Sequence, residues 1–354
     1  MGAPVRPTAG GATYAAAGVD IAAGDDAVER IKDAVATTVR PGVLGGIGGF
    51  GGLFALDTER YRHPVLVSST DGVGTKLLVA RATGRYETIG IDLVAMCVDD
   101  LVCAGAEPLF LLDYIAVGRL VPERIEQVVA GVAEGCRQAG CALLGGETAE
   151  HPGAMADDDL DLAGFAVGAA EAGELLGPQR VRPGDEMVGL ASPGLRSNGY
   201  VLARDVLLGR AGRALDDAAW AGADHTLADE LLRPSVIYAP AVLAARAATR
   251  TGVHACAHIT GGGIAGNLVR VLPADCDAVL ERRAWAVPPI FAEISRLGEV
   301  EPEEMDRVFN LGLGMVVVCD PAAVPEVLGA LEGAGQTASV VGRVVLGSGR
   351  VRLT

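Results

Sequence analysis

The chain's sequence predicts two α/β domains, and three features carry that prediction. Its 354 residues amount to about two domains of ~150 residues each. In both halves short apolar, strand-like runs alternate with helical periodicities, and glycine-rich loops stand where strands end. Between the halves, Gly173 to Gly184, with Pro178 and Pro183, has the composition of a linker. The expected division is therefore 1–173 and 174–354. Half of the residues are hydrophobic, so the chain can bury more than one core, and general disorder is excluded. Glycine at 49 positions has no triplet period, which excludes collagen and implies many sites of positive φ or close approach.

The first half opens with a helix over Asp25 to Arg40, where Val28, Ile31, Val35 and Val39 share a face and Pro41-Gly42 follows. Gly45 to Gly52 is too rich in glycine for helix or strand. Pro64 to Thr70 reads as a strand, with Asp71-Gly72-Val73-Gly74-Thr75-Lys76 as its loop. Ile91 to Ala104 is helical and Pro108 to Val117 a strand. Pro122 to Ala139 is the clearest helix, with proline in its first turn, an Ile125–Val128–Val129–Val132–Cys136 stripe and Gly140 as its stop. Cys141 to Leu144 is a strand running into a Gly145-Gly146-Glu147-Thr148 loop, and Leu160 to Val167 is the last strand of this half. The second half offers strands at Glu186 to Ala191, Val253 to Ile259, Met315 to Cys319 and Ser339 to Val345. Its helices fall at Leu227 to Thr249, Pro302 to Val308 and Pro321 to Leu331, and loops at Arg196 to Tyr200 and Thr260 to Gly263.

Acidic residues outnumber basic ones 45 to 29, for a formal net charge of −16. That balance repels nucleic acid and anionic lipid, so a phosphate-bearing partner must be small and met by local donors or metal ions. No apolar run reaches the ~18 residues of a membrane span, and Met1 to Arg6 lacks the apolar core of a signal peptide. The seven cysteines form neither CxxC nor a zinc-like pattern, and read as reduced residues of a cytoplasmic protein. Of the 29 basic residues only Lys32 and Lys76 are lysines. Two such survivors point to sites where a compact ammonium cannot be exchanged for a planar guanidinium.

Gly46, Gly48 and Gly51 formally satisfy GxGxxG. That fingerprint needs a strand before it and a helix after it, and here Pro41-Gly42 precedes while no helical periodicity follows. A mobile loop that closes over a ligand uses glycine equally well. A Walker A loop is missing too. The acids say more. On the Ile91–Ala104 helix Asp92 and Asp99 lie about 20° apart, and Asp100 about 80° further round. Asp71 and Glu147 each follow a short strand, and strand C-termini of open α/β sheets share an edge. An oxygen-only set of this kind suits Mg²⁺, and with Lys76 beside it resembles a phosphoryl-transfer site. In the second half, Gly261 to Gly263 and Ser197-Asn198-Gly199 offer neutral donors for a phosphate. His258 stands just before the first of these loops.

Eight motifs, in order from about residue 13 to about 345, resemble one family. They are Thr13-Tyr14 with Ala17 to Ile21, Gly45 to Gly52, Thr70 to Lys76, Gly90 to Met96, Gly105 to Pro108, Gly145 to Glu150, Ser197 to Tyr200 and His258 to Gly263. The chain resembles the phosphoribosylformylglycinamidine cyclo-ligases, the aminoimidazole ribonucleotide synthetases of purine biosynthesis. The resemblance implies ATP-dependent ring closure of formylglycinamidine ribonucleotide to 5-aminoimidazole ribonucleotide. ATP and Mg²⁺ are the implied cofactors, with K⁺ left open. It also implies a homodimer whose N-terminal sheets share a barrel. Asp71, Asp100 and Glu147 are the implied Mg²⁺ ligands, with Asp92 and Asp99 next. Lys32 and Lys76 would face the nucleotide phosphates. Gly46, Gly48, Gly49 and Gly51 would close over the nucleotide, assisted by Gly72, Gly74 and Thr75. Ser197, Asn198, Gly199, Gly261, Gly262 and Gly263 would hold the substrate, and Lys76, Asp71, Arg196 and His258 are the implied catalytic set. Two positions depart from the family pattern: Arg196 replaces a histidine, and Val236 replaces an arginine.

Overall fold

A computed structural model describes residues 13, 14 and 17–354. The beginning of the first expected domain, including Met1 to Arg6, lies outside the described residues. Helix α1 (Ile21–Ala36) starts earlier than its apolar stripe suggested. The Asp20 carboxylate accepts from the amides of Ala22 and Ala23 at 3.0 and 3.2 Å, an N-cap that the stripe does not register. It also ends earlier, because the Thr37 and Thr38 hydroxyls donate back to the carbonyls of Ala34 and Val35. A short hairpin, β1 (Val43–Leu44) with β2 (Leu53–Phe54), holds the two ends of the glycine loop.

A four-stranded sheet follows, built from β3 (Pro64–Gly72), β4 (Glu107–Val117), β5 (Ala142–Glu150) and β6 (Leu160–Glu171) in the order β3-β6-β4-β5. Only β4 and β5 run parallel as neighbours. All four strands run longer than expected, and the extensions of β3 and β5 matter for the site. Asp71 lies within β3, paired with Gly164, rather than in the loop beyond it. Glu147 lies within β5, paired with Tyr114, rather than in a loop after Leu144. Glycine-rich sequence read as a turn is held extended here by its neighbour's ladder, with the register shift opposite Leu111 and Leu112 taking up one residue.

Between the strands come α2 (Leu77–Thr83), α3 (Ile89–Cys103) and α4 (Pro122–Ala139). Helices α3 and α4 pack against one another, and α3 lies on β3 and β6. The crossing is close. A Cβ on Gly90 would stand 2.2 Å from the Val132 nitrogen, and one on Gly131 would stand 2.2 Å from the Glu87 carbonyl oxygen. The opposite face of the sheet carries Leu66 at 64% exposure, with Tyr114 and Phe165 at 42% each.

The second unit holds β7 (Glu186–Ala191), α5 (Tyr200–Arg204), α6 (Leu227–Leu231), α7 (Ala239–Thr249), β8 (Val253–His258) and α8 (Gly263–Leu268). It continues with β9 (Cys276–Leu280), α9 (Pro289–Gly298), α10 (Pro302–Val308), β10 (Leu313–Cys319), α11 (Val324–Gly333), β11 (Ala338–Leu346) and β12 (Val351–Leu353). Its six strands run β12-β9-β11-β7-β10-β8 and are antiparallel except for β12 against β9. The helix expected over Leu227 to Thr249 is two helices, because the segment containing Pro234 leaves helical geometry between them. Strands β8 and β10 are buried along their whole length. Helix α3 touches both β8 and α7, so it joins the two units.

The α3–α4 crossing has no room for a methyl group on either helix. Gly131→Ala is therefore expected to destabilise the chain by about 1–3 kcal/mol, read as a lower urea midpoint; an unchanged midpoint would contradict the crossing.

Candidate active site

Helix α3 is apolar over most of its surface, yet it buries Asp92 and Asp99 where it meets the second unit. Lys76, on the turn before α2, reaches Asp92 with 2.6 Å between Nζ and Oδ2, both side chains fully buried. Its ammonium also donates to the carbonyls of Arg196 (3.2 Å) and Arg233 (2.7 Å). Three donors thus have three acceptors. Asp92 Oδ1 in turn accepts from the Ser235 amide at 2.8 Å and its hydroxyl at 2.6 Å. Burial lowers the Lys76 pKa, a pull that the Asp92 carboxylate opposes. The expectation that Lys76 faces nucleotide phosphates and that Asp92 ligates a metal is therefore not met by this arrangement, since each neutralises the other.

Asp99 is likewise engaged. Its Oδ1 accepts from the amides of Tyr238 (2.8 Å) and Ala239 (3.0 Å), at the start of α7, and its Oδ2 accepts from Arg196 Nη2 at 3.0 Å. Burial raises its pKa against the pull of His258 and Arg196. Arg196 stacks over Tyr238, 4.8 Å from the ring centre, and donates through Nη1 to the Val236 carbonyl at 2.9 Å. Where the sequence lacks a basic side chain at 236, the Arg196 guanidinium occupies the neighbourhood. Its Nη2 also meets His258 Nε2 at 2.9 Å. A guanidinium can only donate, so Nε2 accepts and the ring hydrogen sits on Nδ1, which donates to Asp100 Oδ1 at 2.8 Å.

Asp100 is the acid of α3 that opens outward, its side chain 40% exposed. Burial pushes its pKa up, but the His258 hydrogen bond outweighs this and holds it below the ordinary carboxylate range. Ser69 donates to its other oxygen at 3.2 Å. Asp71, two residues along β3, has its pKa raised by burial and by the Asp100 charge, against the Gly72 amide that donates to it at 2.7 Å. The two loops expected to hold substrate meet one another nearby. A Cβ on Gly261 would lie 3.3 Å from Asn198 Oδ1, and one on Gly74 would lie 4.0 Å from the Ser197 carbonyl. Gly199 and Gly262 have φ of 77° and 98°, and a Cβ on Gly199 would strike Phe309 at 2.3 Å. Asn267 stitches the Thr260–Gly263 loop by donating to the carbonyls of Thr260, Gly261 and Gly263. Ser197 Oγ is buried without a hydrogen-bond partner among the described residues.

The glycine loop belongs elsewhere. Gly46, Gly48, Gly49 and Gly51 border a cavity of about 590 Å³ between α1, α4 and the β4–β5 edge. Glu147 and Thr148 border it as well. Asp71 and Glu147 are thus not brought together: they lie on the two edge strands of the sheet. They also occupy adjacent cross-sheet rows, Asp71–Gly164–Asp113–Gly146 and Gly72–Ala163–Tyr114–Glu147, whose side chains point to opposite faces. Lys32 is on α1 but is exposed and paired with Glu29, outside the cavity wall. Sequence reasoning missed Asp113, which lies in the cavity wall. Its signal was a carboxylate inside an otherwise apolar strand.

Among the described residues no three His, Cys, Asp or Glu side chains converge on one point. The five-acid Mg²⁺ set is therefore reduced. Asp92 and Asp99 are spent on internal partners, and Glu147 is remote from Asp71. Asp71 and Asp100 remain as two neighbouring carboxylates, the number that Mg²⁺ takes when phosphate oxygens complete its shell. Their mutual repulsion, visible in the raised Asp71, is what a cation would relieve.

A glycine-loop cavity on one sheet and neighbouring acids facing loops of the other belong to a mixed α/β protein with two sheets. Residues 58–170 match the AIR synthase related protein, N-terminal domain, and residues 182–353 match its C-terminal domain. The chain belongs to that family. It is 54% identical over 339 residues to the phosphoribosylformylglycinamidine cyclo-ligase of Myxococcus xanthus, covering 96% of this chain and 97% of that one. It is 50% identical to the enzyme of the same name from Geotalea daltonii, covering 94% of each. In fold it is similar to thiamine-monophosphate kinase from Stenotrophomonas maltophilia, with a TM-score of 0.65, 19% identity and coverage of 92% and 95%. It is also similar to the hydrogenase maturation protein HypE in complex with ATP, with a TM-score of 0.63, 18% identity and coverage of 92% and 90%.

Removing one partner of the buried pair leaves the other charge stranded. Lys76→Met is expected to cost about 3–5 kcal/mol of stability, measured by denaturant unfolding, and Lys76→Arg is expected not to restore it, because a planar fork cannot meet the same three acceptors. Asp113 gives a second test. Burial raises its carboxyl to about 7, above the ~3.9 of an unfolded chain, so the stability it contributes is complete below about pH 4 and lost as pH rises through 7. The thermal midpoint of Asp113→Asn should therefore gain on the parent between pH 4 and 8; a constant gap would contradict this burial.

Proposed function

We propose that this chain catalyses the ATP-dependent closure of formylglycinamidine ribonucleotide to 5-aminoimidazole ribonucleotide, with release of ADP and phosphate, in purine biosynthesis. The observation that carries the reading is identity of 50–54% to enzymes of that name across nearly all of both chains. In this reaction the γ-phosphate of ATP activates the formyl amide oxygen of the substrate as a leaving group. The substrate's own nitrogen then attacks the same carbon, so no protein nucleophile is required. The chain's residues have to bind, align and neutralise.

In this reading ATP enters the cavity beneath Gly46 to Gly51, and the substrate's ribose phosphate is held by Ser197, Asn198, Gly199 and Gly261 to Gly263. The unpartnered Ser197 hydroxyl and the loop amides would supply donors. Asp71 and Asp100 would hold Mg²⁺, which when bound offsets charge on the transferring phosphoryl group. His258, with its hydrogen fixed on Nδ1, orients Asp100. Arg196 holds His258 and cannot itself give up a proton. Residues 1–173 and 174–354 would form the two domains. The open sheet face bearing Leu66, Tyr114 and Phe165 is the surface on which a second copy would complete a shared barrel; such apolar patches mark interfaces.

Phosphate release from ATP is expected only when formylglycinamidine ribonucleotide is present. Turnover of ATP indifferent to that substrate would defeat the proposal. Phe165→Lys together with Leu66→Lys should shift the sedimentation coefficient from dimer to monomer.

A further inference from the structure

Among the groups in the glycine-loop cavity, Asp113 is the one whose position demands a ligand. The walls are apolar: Ala27, Val28 and Ile31 from α1, Ile125 and Val129 from α4, and Leu143 from β5. Mostly apolar walls with a few placed polar groups are the usual construction of a small-molecule site, and here Glu147 and Thr148 border the cavity from β5 while Asp113 enters it from β4. Its side chain occupies the space above Gly146, where a Cβ would come within 1.7 Å of Oδ1. A side chain larger than hydrogen at 146 would thus displace the carboxyl. No other residue among those described donates a hydrogen bond to it, and the structure gives it no ion pair. Its own backbone amide is the single donor it meets, and burial pushes it up to about 7, a desolvation cost that a further polar contact offsets. The cost is relieved if something entering the cavity carries a hydrogen-bond donor.

We infer that Asp113 receives the amino-bearing edge of the nucleotide's purine base, which lies between the α1 and α4 walls with its phosphates leading out under the glycine loop. The inference rests on the reading that ATP occupies this cavity. A carboxyl group accepts from an exocyclic amino group and, when protonated, donates to the adjacent ring nitrogen. The apolar side chains pack on the two faces of the ring. The mouth is lined by Gly46 to Gly52, where backbone can approach phosphate closely. Asp113 is a specificity-determining residue under this assignment.

The test compares equilibrium binding of ATP with that of purine riboside triphosphate, which lacks the 6-amino group, by calorimetry on the full chain. The parent protein should bind ATP about tenfold more tightly, the value of one good hydrogen bond to a buried partner. Asp113→Ala should bind both equally, and Asp113→Asn, which keeps size and hydrogen-bonding capacity, should retain the preference. Equal affinities in the parent, or an undiminished preference in Asp113→Ala, would overturn the inference. A loss in Asp113→Ala seen against 2′-deoxy-ATP but not against the base analogue would assign the carboxyl to ribose and overturn it too. If the parent binds neither nucleotide, the ATP reading itself fails, a distinct result.

Discussion

Two buried ion pairs hold the molecule in one shape. Lys76 with Asp92 and Arg196 with Asp99 both lie where α3 meets the second unit. Most of their remaining oxygens and hydrogens are answered by backbone groups, by the Ser235 hydroxyl and by His258, with Arg196 Nε left unpaired among the described residues; burying charge is tolerable to the extent that such partners are supplied. The geometry of these pairs sets where the second unit's loops stand relative to α3. Asp100, one residue beyond Asp99, is thereby held against His258, and the Ser197–Gly199 loop is held between Gly74 and Gly261. An apolar contact of equal area would not specify register so narrowly.

Most of the fold was legible from pattern alone. The stripe and flanking proline and glycine of α4 placed it to the residue, and β7 and α10 also fell where expected. What was not legible depended on partners distant in sequence. Glycine-rich Gly145 to Thr148 reads as a turn, and only the ladder with β4 makes it strand. The segment around Pro234 reads as helix until Asp99 takes the amides of Tyr238 and Ala239 and fixes a new start there. Short strands such as β9 and β12 have too few residues to show a period.

The site was legible in its residues and not in its grouping. Helical spacing correctly set Asp92 and Asp99 on one face. It could not say that this face turns inward onto a lysine and an arginine, because that depends on tertiary packing. The two lysines did prove unlike one another. Lys76 is buried against Asp92 and two backbone carbonyls, a set of acceptors internal to the fold, whereas Lys32 pairs at the surface with Glu29. Strand periodicity, had β3 and β5 been given their full length, would have separated Asp71 from Glu147 by face.

The crossing at Gly90 and Gly131 joins α3 rigidly to α4, while the ion pairs join α3 to the other sheet. One helix is therefore shared property of both cores. Loosening either sheet strips partners from charges that the other sheet keeps dry, so the two units should melt as one cooperative body, with calorimetric and van't Hoff enthalpies in agreement, despite having separate sheets.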